Sequence, residues 1–349
     1  MGKFSIFAQS LLGKHEESMD AVEVKSITKT FRSSTKQEGL WGSLKSVVHR
    51  EYKHYTAVND VSFAVPQGQL LGLLGANGAG KTTLLKMLSG LLVPTSGQAS
   101  VLGFIPWRRK HEFLHRFSLV MGQRNQLWWD LPAADSFLLN KEIYGLEHNS
   151  FVKWRDELAE RLDVADKLHV QLRRLSLGER MKCELIGALL HKPEVIFLDE
   201  PTIGLDVVAQ HSLREFIQQY NRDFKTTVIL TSHYMDDIEA LCERVILIDE
   251  GSLLFDGQLE ELSKEFSAEK VLQLDFLKPF NQKDIESFGT VTECSSERII
   301  LRIDAENTPT ITAQILSQYP VADLTITAVP IEEIVRKIFV KNSGEIEKK

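Results

Sequence analysis

Leu70-Leu71-Gly72-Leu73-Leu74-Gly75-Ala76-Asn77-Gly78-Ala79-Gly80-Lys81-Thr82-Thr83 is the stretch on which the reading of this chain turns. Leu70–Leu74 is a short apolar run that suits a buried strand, and it stops at a glycine-rich turn. Gly75 to Thr82 match G-x4-G-K-[ST]. Glycines let backbone N–H groups turn inward around phosphate oxygens, Lys81 reaches the β- and γ-phosphates, and the Thr82 hydroxyl is a ligand for Mg²⁺. Leu84, Leu85 and Leu88 recur at helical spacing, so the loop opens a helix near Thr83 whose positive end adds to the phosphate site.

Outward from this loop the pattern is strand, helix, strand. Residues 22–27 and 61–65 alternate as half-buried strands. Residues 195–198, 227–230 and 245–248 are apolar, largely β-branched runs. Between them lie helical patterns carrying Leu213, Phe216, Ile217 and Tyr220, then Met235, Ile238 and Leu241. Such alternation predicts an α/β unit with a largely parallel sheet. Residues 107–178 read as a mostly helical insert, with Phe137 and Leu138, then Phe151, Trp154, Leu158 and Leu162, at helical spacings. From about residue 268 the order of strands and helices predicts a small ferredoxin-like α+β unit. Its marks are Leu272, Leu274 and Phe276, then Ile299, Leu301 and Ile303, a helix started by Thr308-Pro309, a strand at 324–327, and a closing helix with Ile331, Ile334, Val335 and Ile338.

The 349 residues, 43% hydrophobic and 26% charged, have ordinary globular usage. A formal net charge of −7 argues against a protein that coats nucleic acid. Three scattered cysteines fit neither a disulfide framework nor a zinc site and point to a reducing compartment. No apolar run approaches the ~20 residues that cross a bilayer, and no secretory signal is expected.

Two further features carry chemistry. Residues 195–198 end in Asp199-Glu200. Successive strand side chains point to opposite sides, so Asp199 can reach the Mg²⁺ shell while Glu200 faces an attacking water. Leu175-Ser176-Leu177-Gly178-Glu179 opens a helix, with Ser176 and Glu179 spaced as a capping box. Gly178 is poor helix chemistry there, and it makes sense where a ligand approaches the backbone. A serine hydroxyl, bare N–H groups and a helix dipole make a second phosphate site.

These residues together resemble the nucleotide-binding subunit of an ABC transporter over roughly residues 20–260. The order is the family's: the phosphate loop, a glutamine loop at Gln123, the signature at Leu175 to Glu179, the acidic strand end Asp199-Glu200, the D-loop Gly204-Leu205-Asp206, and the switch histidine His233. The signature departs from the common L-S-G-G-Q, with Leu177 for the first glycine and Glu179 for the glutamine. Ser176 and Gly178 remain.

The resemblance implies a P-loop NTPase cassette: a RecA-like core with an antiparallel β portion and a helical subdomain. It implies ATP and Mg²⁺, the metal held by Thr82, Gln123 and Asp199. It implies a second cassette pairing head to tail, as a homodimer or heterodimer. ATP then lies between one phosphate loop and the Ser176, Gly178, Glu179 and Asp206 region of the other copy, with Glu200, His233 and Gln123 as catalytic groups. An aromatic stacks on adenine, and Tyr55 is preferred over Phe31. The lack of a spanning segment implies integral membrane permease subunits as partners and a peripheral place at the cytoplasmic face of the membrane.

The stretch 123–137, the LSLGER signature and the C-terminal unit look like ABC-2-type exporter cassettes. Trp128 and Trp129 line either the groove for a membrane subunit or the core of the helical insert. A soluble non-transport ABC ATPase and an importer cassette are the other readings. The first is disfavoured by a single signature and no sustained heptads, the second by mixed helices and strands after residue 268. The expected domains are an N-terminal extension (1–20), the ATPase (21–265), the accessory domain (268–342) and a tail (343–349). Within the ATPase, residues 33–54 read as a basic amphipathic insert: Leu40, Trp41, Leu44, Val47 and Val48 share one helical face, placed either at lipid or against protein.

Overall fold

The computed structural model describes residues 20–34, 52–232, 234–266 and 269–342. The chain divides into two compact units, Met1–Asp256 and Gly257–Lys349.

The first unit holds two sheets. Strands β1 (Asp20–Ser34), β2 (Tyr52–Pro66) and β4 (Ser96–Val101) form an antiparallel sheet in the order β2-β1-β4. The other sheet has six strands. They are β3 (Leu70–Leu74), β5 (Phe117–Met121), β6 (Val195–Asp199), β7 (Thr227–Thr231), β8 (Arg244–Asp249) and β9 (Ser252–Gln258), in the order β5-β6-β7-β3-β8-β9. The pairs β5–β6, β6–β7, β7–β3 and β3–β8 are parallel. All five residues of β3, β6 and β7 are buried, as expected of parallel strands covered on both faces.

The phosphate loop leads into α1 (Lys81–Leu88). The helical region contains α2 (Ala133–Ile143), α3 (His148–Arg161) and α4 (Leu177–Leu189). Trp154 locks α3 to α4 by donating from Nε1 to the Leu189 carbonyl at 3.0 Å. Helices α5 (Val207–Phe224) and α6 (Met235–Leu241) follow. The periodic residues Leu213, Phe216, Ile217 and Tyr220 of α5 are all buried.

Two expectations shift here. Phe117–Met121, inside the span read as a helical insert, is the edge strand of the parallel sheet. Its buried positions are Ser118 and Val120, so burial alternates along the strand while the residue types do not, and this hid it. The ends of the span read as a basic insert belong to β1 and β2, where Ser34 pairs with Tyr52. Its apolar residues Leu40, Trp41, Leu44, Val47 and Val48 lie outside the described residues.

The second unit contains α7 (Leu259–Phe266), β10 (Glu269–Phe276), β11 (Thr290–Cys294), β12 (Arg298–Asp304), α8 (Thr308–Gln318), β13 (Val321–Ala328) and α9 (Ile331–Asn342). The sheet is antiparallel in the order β11-β12-β10-β13, the ferredoxin-like arrangement. Leu272, Leu274, Phe276, Ile299, Leu301, Ile303 and Ile315 form its core. Strand β11 has almost no buried position, so no apolar alternation announces it in the sequence.

Candidate functional site

The site is assembled by four neighbouring strands. β5, β6, β7 and β3 run parallel and in register, so their carboxyl ends lie side by side. Met121 pairs with Asp199, Asp199 with Thr231, and Leu73 with Thr231. The phosphate loop, Thr231, Asp199-Glu200 and Gln123 therefore converge although they are spread along the chain. Ligands of open α/β sheets bind at this edge.

The loop at the end of β3 is held close to the antiparallel sheet. Gly80 has φ 108°, and a Cβ there would lie 2.3 Å from the Ala57 carbonyl oxygen, so only glycine fits. Lys81 is buried, and its Nζ donates to the carbonyls of Gly75 at 2.6 Å and Ala76 at 3.1 Å. Burial pushes this ammonium below its ordinary range, with the carboxylates of Glu200 and Asp199 opposing the shift. A cleft of about 250 Å³ is lined by Asn77, Gly78, Ala79, Gly80, Lys81, Thr82, Thr83, Glu200, Phe31 and Tyr55. Phe31 and Tyr55 sit directly opposite each other on β1 and β2, so the two aromatic candidates are one cross-strand pair. They are 39% and 56% exposed, and the Tyr55 hydroxyl donates to the Gly78 carbonyl at 3.3 Å.

The Thr82 hydroxyl donates to both Asp199 oxygens, at 3.0 and 2.8 Å. Thr231 was not singled out by sequence, yet its Oγ1 donates to Asp199 Oδ1 at 2.8 Å and accepts from the Glu200 N–H at 3.0 Å. The Gly122 N–H donates to the Asp199 carbonyl at 2.8 Å. Glu200 itself has φ 55°, a left-handed conformation that a non-glycine residue keeps only where its surroundings enforce it. Gln123 Nε2 donates to Glu200 Oε2 at 3.4 Å.

The Thr82 hydroxyl and the Asp199 carboxylate are hard oxygen donors, and no group of three metal-ligating His, Cys, Asp or Glu side chains occurs among the described residues. That donor set fits Mg²⁺, which keeps most of its ligands as water and phosphate oxygen. His233 lies outside the described residues.

Ser176, Gly178, Glu179 and Asp206 do not line the phosphate-loop cleft. Ser176 caps α4. It accepts from the Glu179 N–H at 3.2 Å, and the Glu179 carboxylate accepts from the Ser176 N–H at 2.9 Å. That backbone bond, and Lys167 at 3.7 Å, hold the Glu179 carboxyl below its usual range despite partial burial. Asp206 caps α5 through the Ala209 N–H at 2.9 Å. Gly178 has a packing reason that sequence did not show: a Cβ there would lie 2.9 Å from the Ala209 Cβ. A Cβ on Gly204 would lie 3.1 Å from Leu177 Cδ2, so the signature and the D-loop are packed on one another.

Two buried carboxylates complete the frame, and nothing in the sequence pattern announces them. Glu184 on α4 accepts from the N–H groups of Gln126 and Leu127 at 3.0 and 3.2 Å, tying the segment after Gln123 to the signature helix. Burial raises its pKa against those two bonds. Asp237 on α6 accepts from Thr202 and, at 2.5 Å, from Ser232, with Arg214 at 3.4 Å.

Comparison with known proteins identifies this arrangement. Residues 58–203 match the family model described as ABC transporter, and residues 268–327 match the EvrA-like ABC transporter C-terminal domain. The ABC transporter ATP-binding protein NatA of Bacillus subtilis is 35% identical over 63% of this chain and 88% of its own length. The chain belongs to the ABC transporter ATP-binding proteins. The linearmycin resistance ATP-binding protein LnrL of Bacillus subtilis is 30% identical over 74% of this chain and 83% of its own length. The bacitracin transport ATP-binding protein BcrA of Bacillus licheniformis is 33% identical over 67% and 72%. Among solved structures, an ATP-binding subunit of an ABC transporter matches with TM-score 0.58 and 24% identity, covering 70% of this chain and 93% of that one. A dimeric ATP-binding cassette in a post-hydrolysis state with ADP and phosphate matches with TM-score 0.57 and 20% identity, covering 68% and 98%.

This ABC protein is thus the ATP-binding, ATP-hydrolysing subunit of a transporter. No helix among the described residues is long and apolar enough to cross a membrane.

Proposed function

We propose that two ATP-binding cassettes of this kind close head to tail around ATP and drive export through separate membrane permease subunits at the cytoplasmic face. One observation carries the reading. The two places read as phosphate-binding halves, the cleft at Lys81 and the Ser176 end of α4, are apart on one chain, and the second does not line the first. Each half becomes a complete site only against its counterpart on another chain.

In the closed site, Lys81 and the loop amides bind the phosphates, and Tyr55 with Phe31 receives adenine. Thr82, Asp199 and Gln123 would hold Mg²⁺, which would supply charge neutralisation to the phosphates. Glu200 orients the attacking water and takes its proton as the bond from the γ-phosphorus to ADP breaks, and His233 contacts the γ-phosphate. Ser176 and Gly178 bind the same phosphate from the opposite chain, and Glu179 and Asp206 flank it. The working division is an ATPase from residue 21 and an accessory unit through 342, with α7, inside the 21–265 span expected of the ATPase, grouped with the second compact unit, and an extension and a tail outside.

A groove of about 510 Å³ supports the membrane partner. It is lined by Leu91, Leu127, Ile143, Tyr144 and Gly187 among others. Trp128 and Trp129, next along from Leu127, are 58% and 43% exposed and do not fill the helical core. The Arg180 guanidinium lies 4.9 Å from the Trp129 ring centroid. Large exposed aromatics beside a groove that mixes these residues with polar ones such as Asn140 and Glu184 mark an interaction surface. Relatives named for linearmycin resistance, bacitracin transport and Nod factor export support the direction of transport.

Sedimentation of Glu200→Gln with ATP or ADP tests the pairing. An ATP-dependent dimer is expected, and Ser176→Ala should weaken it. Monomers that hydrolyse ATP at the wild-type rate regardless of Ser176 would overturn the shared site.

A further inference from the structure

Asp237, on α6, is a buried carboxylate to which the chemistry above gives no part. Its Oδ2 accepts from two hydroxyls, Thr202 Oγ1 and, at 2.5 Å, Ser232 Oγ. Its Oδ1 faces Arg214 Nη1 of α5 at 3.4 Å. Thr202 and Ser232 are buried as well. A carboxylate inside a protein needs donors and a counter-charge, and here the two donors come from the segments that follow β6 and β7.

Thr202 lies two residues beyond Glu200, in a turn in which the Ile203 N–H donates to the Glu200 carbonyl at 3.3 Å. Glu200 has φ 55°, and a left-handed backbone at a non-glycine residue persists only where its surroundings over-determine it. Thr231 holds it from the N-terminal side through the Glu200 N–H. The bond from Thr202 to Asp237 anchors it from the C-terminal side. Ser232 immediately precedes position 233. Its Oγ donates to Asp237 and accepts from the Tyr234 N–H at 3.0 Å, so one hydroxyl ties the carboxylate to the backbone on either side of that position. A single oxygen atom thus sets the register between the segment carrying Glu200 and the segment around residue 233. Thr202, Ser232 and Asp237 do not line the phosphate-loop cleft, whereas Glu200 does.

We propose that Asp237 is a positioning residue for ATP hydrolysis. Through Thr202 and Ser232 it fixes the Glu200 turn against the segment at residue 233, and it acts on the reaction through them rather than on the nucleotide. The inference rests on the roles proposed for Glu200 and His233. Loss of the anchor lets the Glu200 turn relax, and a displaced reacting group costs rate while the phosphate loop still binds.

The test uses the full chain, with phosphate release and calorimetric ADP binding measured where every variant is folded by circular dichroism. Thr202→Val and Ser232→Ala each remove one hydrogen bond to the carboxylate and should each lower kcat about tenfold or more. ADP affinity should stay at the wild-type value, because Lys81 and its loop do not touch Asp237. Thr202→Ser keeps the hydroxyl and should recover most of the rate that valine loses. Asp237→Asn should slow turnover likewise, and if it does not fold the hydroxyl variants carry the test. Wild-type kcat in folded Thr202→Val and Ser232→Ala, or losses matched by equal losses of ADP affinity, would overturn the inference. Glu200→Gln measured in parallel separates the two readings. If it is slow while the hydroxyl variants turn over normally, only the role of Asp237 falls; if it releases phosphate at the wild-type rate, the reading of the site falls with it.

Discussion

Replacing Thr231 with valine keeps the volume of a fully buried side chain and removes one hydroxyl. That hydroxyl donates to Asp199 Oδ1 at 2.8 Å and accepts from the Glu200 N–H at 3.0 Å. The Glu200 N–H keeps a second acceptor, the Thr231 carbonyl at 3.0 Å, so the backbone is not orphaned. Asp199 keeps Thr82 as a donor. The net loss is one hydrogen bond to a buried carboxylate, about 2 kcal/mol. If the loss falls on the geometry of Asp199 during turnover, it corresponds to roughly a 30-fold slower rate, since ~1.4 kcal/mol is tenfold. We expect Thr231→Val to raise the Mg²⁺ concentration at half-maximal phosphate release and to lower the maximum. The denaturant midpoint should fall by the equivalent of about 1–3 kcal/mol. Thr231→Ser should restore both. A valine variant with wild-type Mg²⁺ dependence and rate would show that Thr231 positions neither carboxylate.

Other outcomes follow from the same geometry. Glu200→Gln should bind ATP and dimerise but release phosphate about 100-fold more slowly or worse, as removal of a general base predicts; near-normal release measured with a phosphate sensor would remove Glu200 from that role. Gly178→Ala should destabilise by about 1–3 kcal/mol through overpacking, because its Cβ meets Ala209. Adding Ala209→Gly should restore the melting temperature, and ATPase activity that stays low in the double variant would show that ligand approach also needs a bare Gly178.

The His191 imidazole is pushed down to about 4, mainly by burial, from an ordinary 6.5. Between these values the unfolded chain binds a proton that the folded chain does not. Stability therefore falls as pH drops through this window and is unaffected by His191 above it. Urea midpoints at pH 7 and pH 5 should differ less in His191→Gln than in wild type, and an equal difference would assign the acid sensitivity elsewhere.

The residues that converge at the proposed phosphate site were legible because their motifs are local. A glycine loop, a lysine and a threonine must be contiguous to fold around phosphate, and a strand must end in its carboxylates. Helix α5 was legible for the same reason, its buried face written at helical spacing. β5 and β11 were not, because in one the residue types do not follow the alternating burial and the other has almost no buried side. Gly178 shows the limit of local reading. Its neighbour Ala209 lies 31 residues away by sequence numbering, and the contact exists only once α4 packs on α5.

By itself the sequence singled out the groups proposed to meet ATP, Lys81, Thr82, Asp199 and Glu200, with the Ser176 helix as the proposed second phosphate half. Only the tertiary structure decided how they are held. The strand order β5-β6-β7-β3 sets Thr231 between the acidic strand end and the phosphate loop, the β1–β2 register sets Phe31 opposite Tyr55, and Trp128 lies exposed. Motifs are set by short-range steric and hydrogen-bonding needs. Strand order and edge exposure are set by the burial of whole faces, to which residues far apart in the chain contribute together.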